Sequence, residues 1–238
     1  MAPVETAKYV KAGGKFSVCG RYTLTVNDLG QVESRFICRS EIKDWRPRFN
    51  AAPHQFMPVV VRQEKGNRLK LMRWGLIPFW AKSPDIGTRL INARLETLTE
   101  KPAFRHAARR RRCLVPADGY YEWLKEGNRK TPMRIVSCKE DLVAMAGLWD
   151  VWEAPDGSVI ETYTIVTTEA QGAAARIHHR MPLILPPALE QYWISELEES
   201  ELKKLLSEVK PFKELRAYQV TALVNSPAND SPDLLREV

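Results

Sequence analysis

The sequence of 238 residues contains no hydrophobic run long enough to cross a membrane. Its longest apolar stretch, residues 142–149, has eight residues, whereas a transmembrane helix needs roughly 18 or more. The first 18 residues carry three lysines but lack the apolar core of a secretory signal peptide. We therefore expect a cytoplasmic protein with no membrane partner.

Cysteine is scarce and shows neither a metal-binding nor a disulfide pattern. The four cysteines, at positions 19, 38, 113 and 138, form no C-x-x-C pair and have no histidine at zinc-finger spacing. The sequence also lacks a P-loop and the motifs G-x-G-x-x-G, G-x-S-x-G and H-E-x-x-H. We expect no metal and no organic cofactor.

Glycine and proline, at 12 and 16 residues, are too few for a low-complexity chain, and no linker rich in them divides the sequence. One continuous core is the simplest organisation. The 36 lysines and arginines exceed the 29 acidic residues, which gives a net charge of +7. This balance favours a polyanionic partner, although many proteins that bind no nucleic acid carry a similar charge.

Short runs rich in Val, Ile, Leu and aromatic residues outnumber the helical patterns. The predicted strands are residues 57–62, 69–76, 113–124, 132–137, 142–152, 162–168 and 217–221. Helices are predicted over residues 26–36 after a Thr25 cap, over 102–111 and 187–194, and from a Ser195–Glu198 capping box to residue 209. Strands joined mostly by loops argue against a doubly wound parallel sheet. We predict an α+β fold, a single domain with a mostly antiparallel, barrel-like β core and peripheral helices.

Two residues of types that perform covalent and proton-transfer chemistry have unusual neighbours. Cys19 adjoins Gly20 and Arg21, whose guanidinium would favour the thiolate; the alternative is a half-buried cysteine at a strand start. Glu122 lies in a strand-like run of aromatic residues, where burial would raise its pKa and suit it to acid–base work. The alternative is a carboxylate that points at solvent or at an arginine.

Weaker candidates lie elsewhere in the chain. His178, beside His179, could shuttle protons, although such a pair in a loop is often ordinary surface. Asn92, in an apolar context, could orient a substrate oxygen or amine, or could cap a turn. Residues 73–80 interleave cations with flat rings, a composition typical of a platform for single-stranded nucleic acid. Core packing is the alternative for Trp74.

An ordered set of motifs resembles a known family. The motifs are Cys19-Gly20-Arg21-Tyr22, Asn92-Ala93-Arg94, Val224-Asn225-Ser226 and the segments 49–53, 74–78, 112–116, 119–123, 146–149 and 178–182. Together they resemble the SRAP family (SOS response-associated peptidases), abasic-site processing proteins that include the 5-hydroxymethylcytosine-binding protein of embryonic stem cells. The resemblance extends from Cys19 to the C-terminus.

The resemblance implies a sensor of abasic sites in single-stranded DNA that protects the lesion by forming a covalent thiazolidine crosslink. It implies that Cys19, as the N-terminal residue, is the nucleophile, and that Asn92 positions its amine. Glu122 would move protons and His178 would assist opening of the sugar ring. The DNA-binding residues implied are Arg21, Asn50, Pro53, Trp74, Trp80, Arg94 and Arg180. The expected partner is single-stranded DNA containing abasic sites, bound by a monomer that is nucleoid-associated on DNA.

Residues 1–18 precede Cys19, where the family pattern needs only an initiator methionine. We predict an N-terminal extension over 1–18 and a SRAP domain over 19–238. The extension is a leader cleaved before Cys19, the product of an alternative start, or not native. While it is attached, the Cys19 nitrogen is an amide and cannot form a Schiff base. The alternative functions are a non-covalent module for single-stranded or modified DNA and a cysteine peptidase limited to self-processing.

Overall fold

The computed structural model describes residues 19–238, so the predicted extension over 1–18 lies outside the described residues. The strands in this part of the chain are β1 Arg21–Leu24, β2 Cys38–Ser40, β3 Arg48–Ala51, β4 Phe56–Gln63, β5 Gly66–Trp74, β6 Asn92–Arg94, β7 Arg112–Ala117, β8 Gly119–Glu126, β9 Arg129–Ser137, β10 Val143–Glu153, β11 Val159–Glu169, β12 Arg180–Pro182 and β13 Leu215–Gln219. The helices are α1 Gly30–Phe36, α2 Arg105–Arg110, α3 Gly172–Ala175, α4 Pro187–Trp193 and α5 Glu199–Glu208.

Five strands close into a barrel. They follow one another in the order β11, β10, β7, β4 and β5, and β5 returns to pair with β11 through Arg73 opposite Thr162 and Trp74 opposite Tyr163. Strands β6 and β12 extend β11, and β2 extends β5. A second sheet has the order β13, β9, β8, β1 and β3. The α+β fold with a barrel-like, mostly antiparallel core is therefore confirmed, with parallel pairing at β2–β5, β5–β11 and β6–β11.

Buried aromatic residues connect the barrel to the second sheet. Tyr22 of β1 packs edge-on against Trp74 of β5, with ring centroids 5.2 Å apart, and its hydroxyl shares a 2.7 Å hydrogen bond with that of Tyr163 on β11. Trp74 also stacks on Tyr163 at 6.3 Å. All three side chains are fully buried. The two sheets thus share one core, which lies next to the start of β1.

The run predicted as one strand over 113–124 is two strands, and that prediction is wrong. The chain leaves the barrel at Ala117 and enters the second sheet at Gly119. Between them, Asp118 accepts hydrogen bonds from Thr23, from Thr25 and from Arg134. These bonds anchor the corner, because a carboxylate with four donors holds its backbone in one place.

Two predicted helix caps are also wrong. The Thr25 hydroxyl donates to Asp118 rather than capping a helix, and α1 begins only at Gly30, whose N–H donates to the Asp28 side chain. The capping box of α5 is formed by Glu198 and Glu201, not by Ser195. Strands β1, β2, β3, β6 and β12 were not predicted, because three or four residues are too few to show an alternating pattern.

Candidate functional site

Cys19 and Glu122 meet in the interior of the molecule. Cys19 is fully buried just before β1, and its backbone N–H donates to Glu122 Oε2 at 3.1 Å. The other carboxylate oxygen accepts from the Trp123 N–H at 3.2 Å. Cys19 has a φ of +50°, a left-handed conformation that non-glycine residues adopt only at a cost. The candidate nucleophile is thus held by its nitrogen against a buried carboxylate.

The pairing of β1 with β8 brings these two residues together. Arg21 lies opposite Tyr121 and Tyr22 lies opposite Tyr120, so the chain before β1 runs beside Glu122. Because side chains alternate along a strand, Tyr120 and Glu122 face the same side of β8, and Tyr121 faces the other. Tyr121 accordingly packs in a separate small core.

Burial dominates the electrostatics of the pair. It raises the pKa of Glu122, although the Cys19 N–H and the charge of His178 act in the opposite direction. Burial and the nearby Glu122 carboxylate raise the pKa of the Cys19 thiol well above its usual value. The expectation that Arg21 favours the thiolate is therefore wrong. Its guanidinium donates to Asn50 and to the backbone oxygens of Val224 and Asn225 instead.

His178 and Asn92 both lie beside β11. Asn92 starts β6, opposite Ile165, and His178 lies two residues before β12, which pairs with the end of the same strand. The Nδ1 atom of His178 accepts from the Arg180 N–H at 3.0 Å, so a neutral imidazole here carries its proton on Nε2. Its ring packs against that of His179 in a tilted arrangement, with centroids 4.2 Å apart. The electrostatic interaction with His178 acts to lower the pKa of Glu122, so the two residues belong to one electrostatic site.

Three of the predicted DNA-binding residues instead hold the protein together. Trp74 is fully buried and its Nε1 donates to the Ile91 oxygen at 2.9 Å, so its ring cannot reach a base. Asn50 is fully buried and its Nδ2 donates to Val224, Ser226 and Asn229 backbone oxygens. Arg21, together with Asn50, therefore fixes the segment that contains the Val224-Asn225-Ser226 motif.

The other four have different degrees of access. Arg94 is exposed and Pro53 is partly exposed. Trp80 exposes 47% of its surface. Arg180 is bound on both sides, since it donates to Glu96 at 2.6 and 3.0 Å and also to Thr167. Partial burial alone would raise the pKa of Glu96, but the Arg180 hydrogen bonds and charge hold it below its usual value.

The loop that carries Trp80 is fixed by residues that the sequence reasoning missed. The Phe79 N–H donates to Asp150 at 3.0 Å, and the Trp152 indole donates to the Ala81 oxygen at 2.7 Å. The Phe79 ring, itself 51% exposed, lies 4.9 Å from the His106 ring of α2. Asp150, a buried aspartate inside the apolar run of β10, was the feature of the sequence that could have indicated this contact. The loop therefore presents two neighbouring exposed rings.

Within residues 19–238, no cluster of three or more histidine, cysteine, aspartate or glutamate side chains could hold a metal ion. The same stretch contains no helix that is long and apolar enough to span a membrane. Its four cysteines are free thiols.

Comparison with known proteins identifies the family. Residues 18–227 match the family described as SOS response associated peptidase (SRAP). The chain belongs to the SRAP family. The SRAP protein YoqW of Bacillus subtilis, called an abasic site processing protein, is 40% identical over 223 residues, which cover 92% of this chain and 99% of YoqW.

Proteins of lower sequence identity match over most of the chain as well. The chicken abasic site processing protein HMCES is 31% identical over 264 residues, covering 92% of this chain and 77% of HMCES. The crystal structure of a protein from Bacteroides thetaiotaomicron superposes with a TM-score of 0.81 at 29% identity, covering 92% of this chain and all of that one. The family predicted from the motifs is thereby confirmed, and the matched range includes every predicted site residue.

Proposed function

We propose that this SRAP chain processes abasic sites in single-stranded DNA by forming a covalent thiazolidine crosslink through Cys19, once residues 1–18 are removed. The observation that carries the proposal is the 3.1 Å hydrogen bond between the Cys19 nitrogen and Glu122. Family membership and the names of the relatives support abasic-site DNA as the substrate. We expect the protein to act as a cytoplasmic monomer, on the nucleoid.

The first step joins the Cys19 amine to the lesion. An opened abasic sugar presents an aldehyde, and a free α-amine with a pKa near 7.7–8.0 is partly unprotonated at neutral pH. The nitrogen forms a bond to the aldehyde carbon, and the carbonyl electron pair moves to oxygen. Glu122, which already contacts this nitrogen, takes a proton from the nitrogen and passes it to the oxygen, which gives the carbinolamine hydroxyl.

The next steps close the ring. Glu122 gives a proton to the carbinolamine hydroxyl, which leaves as water and generates the protonated imine. Because burial raises the pKa of Glu122, it retains a proton at higher pH than an exposed glutamate does. The Cys19 sulfur then adds to the imine carbon, its proton passes to Glu122, and the electron pair of the C=N bond returns to nitrogen. The five-membered closure is fast because the reacting groups belong to one residue.

His178 and Asn92 serve the same site from β11. With Nδ1 bonded to the Arg180 N–H, His178 presents Nε2 for the proton transfer that opens the sugar ring. Asn92 positions the amine of Cys19. This assignment is supported by the pairing of β6 and β12 with β11, which brings Asn92 and the residues before β12 to one strand, and by the electrostatic effect of His178 on Glu122.

Removal of residues 1–18 uses the same groups. The Cys19 thiol attacks the carbonyl carbon of the bond between residues 18 and 19, the C–N bond breaks, and water hydrolyses the resulting thioester. The departing nitrogen needs a proton, and Glu122 is hydrogen-bonded to that nitrogen. The left-handed backbone at Cys19 adds strain next to the bond that breaks. The peptidase activity that we propose is limited to this self-processing.

Intact mass tests the covalent proposal. The full chain is measured before and after incubation with uracil-containing single-stranded DNA treated with uracil-DNA glycosylase. We expect loss of residues 1–18 and a stable adduct, and neither with Cys19→Ala. Cys138→Ala, which removes an exposed thiol, serves as the control and should behave like the wild type. An adduct on an unprocessed chain, or on Cys19→Ala, would contradict the proposal.

The exposed Phe79 and Trp80 rings favour a second candidate, a module that binds single-stranded DNA without covalent chemistry. Trp80→Ala should weaken binding of intact single-stranded DNA by about 5- to 100-fold, the effect of losing one stacked base. The salt dependence should not change, because no phosphate contact is removed. Fluorescence anisotropy at several salt concentrations measures both.

Tyr192→Ala removes a similarly exposed ring, on α4, and is the control for this measurement. Equal losses for the two variants would show that the Trp80 loop has no special part in binding. Binding without any adduct in the mass experiment would leave the non-covalent module as the function.

A further inference from the structure

The Tyr120 hydroxyl is buried beside the candidate site without a hydrogen-bond partner among residues 19–238. Tyr120 is only 2% exposed. Its neighbours differ in this respect: the hydroxyls of Tyr22 and Tyr163 bond to each other at 2.7 Å, and that of Tyr121 donates to the Phe49 oxygen at 2.9 Å. A buried hydroxyl without a partner destabilises the fold, so its presence at this position calls for a physical reason.

The position of Tyr120 places it with the reactive groups. It lies on the same face of β8 as Glu122 and opposite Tyr22, two residues along the strand from the carboxylate that holds Cys19. Its burial and the charges of Cys19 and Glu122 raise the pKa of Tyr120 well above its usual value. The hydroxyl therefore stays protonated and can act as a hydrogen-bond donor.

Within residues 19–238, neither a hydrogen bond nor a positive charge favours the thiolate of Cys19. Arg21, its neighbour in sequence, donates to Asn50 and to two backbone oxygens, and the nearest carboxylate disfavours a thiolate. A buried anion needs hydrogen-bond donors. An O–H group without a partner in the same core cluster meets that need.

We propose that Tyr120 donates a hydrogen bond to the Cys19 sulfur while that sulfur carries negative charge. The inference rests on the proposed thiazolidine chemistry. In ring closure the sulfur loses its proton to Glu122 and forms the S–C bond. In ring opening the S–C bond breaks, the electron pair remains on sulfur, and the proton returns. Tyr120 keeps its own proton in both directions and stabilises the sulfur anion between the steps.

Tyr120→Phe tests the inference because it removes one oxygen and keeps the ring. We expect thiazolidine closure and its reversal to slow by about tenfold or more, the effect of losing a hydrogen bond to a charged group. Imine formation should be unchanged, so the fraction of adduct that borohydride can reduce should rise. Tyr121→Phe, on the same strand but the opposite face, is the control and should show the wild-type partition.

A second readout does not depend on DNA. The rate of Cys19 alkylation, followed by mass against pH on the full chain, reports the pKa of its thiol, and Tyr120→Phe should shift this profile to higher pH. The melting temperature should stay equal or rise, because the Tyr120 hydroxyl has no hydrogen-bond partner among residues 19–238.

The outcomes separate the two proposals. If the wild-type chain forms no adduct, the proposed function fails, and the alkylation profile alone decides whether Tyr120 contacts the sulfur. If the wild type forms the adduct and Tyr120→Phe closes the ring at the same rate, the inference fails. Equal slowing of imine formation and ring closure would also overturn it, because the hydroxyl would then act through Glu122.

Discussion

Replacing Glu122 by glutamine should slow formation of the covalent adduct by at least about 100-fold, the lower range for loss of a general acid–base group. Glutamine keeps the size of the side chain and can still accept the Cys19 N–H, but it neither takes nor gives a proton. Both the attack by the amine and the loss of water from the carbinolamine need that proton transfer. Single-turnover gel assays with abasic single-stranded DNA measure the rate.

The same variant should be at least as stable as the wild type at pH 7. Burial raises the pKa of Glu122 in the folded state above the ordinary 4.5. The folded state therefore favours the protonated form of Glu122. The stabilisation that results is fully present below pH 4.5 and is lost as the pH rises through the folded pKa. Above the folded pKa the wild type has a buried charge that Glu122→Gln lacks. Urea unfolding at pH 7 and at pH 4.5 should show an advantage of the variant that shrinks at the lower pH.

Glu126→Gln is the matched control, because it removes an exposed carboxylate from the end of the same strand. It should leave both the rate of adduct formation and the stability unchanged. A Glu122→Gln protein that forms the adduct at the wild-type rate would remove Glu122 from the mechanism. A variant that is slow but also unfolded would instead make the Cys19–Glu122 contact structural.

The sequence predicted the barrel because its strands are long and apolar. Residues 57–61 and 143–148 are buried without interruption, as expected for strands covered on both faces. The corner at Asp118 could not be predicted in this way, because the hydrophobic pattern continues through it. It depends on the hydrogen bonds of one carboxylate to Thr23 and Thr25, about 95 residues earlier in the chain.

The burial of Glu122 was predictable from the sequence, but the electrostatics of the candidate site were not. An acidic residue within an aromatic strand indicated burial, and Glu122 is 8% exposed. The direction of Arg21 could not be inferred, since its hydrogen-bond acceptor at Val224 lies 203 residues away in the chain. Trp74 was predicted to bind DNA for a related reason. The sequence pattern of aromatic residues beside cations is the same whether the rings face DNA or the core. Only the strand pairing of β5 with β11 decides it.

Replacing Arg112 by methionine should lower the free energy of unfolding by about 3–5 kcal/mol, as expected when a buried charged group that is fully hydrogen-bonded is removed. Arg112 is 5% exposed, and burial lowers its pKa to about 10, so it is cationic at neutral pH. Its guanidinium donates to the backbone oxygens of Ala108, Arg109, Trp193 and Ser195.

These acceptors lie at the ends of two helices. Two belong to the last turn of α2, and two lie at the end of α4 or just after it. The carbonyl groups at a helix C-terminus have no partner within the helix and carry partial negative charge. One cation therefore satisfies both helix ends. Methionine fills much of the same volume but removes the donor from four oxygens whose hydrogen bonds are buried or partly buried.

The loss should extend to the loop of Phe79 and Trp80, because α2 supports it. His106 of α2 packs against the Phe79 ring, and a loosened helix would release Phe79 and its neighbour Trp80. We expect Arg112→Met to melt about 10 °C below the wild type and to bind intact single-stranded DNA more weakly. Arg110→Met, which removes an exposed arginine from α2, should change stability by less than about 0.5 kcal/mol. A small effect at Arg112 would mean that water replaces the guanidinium at both helix ends.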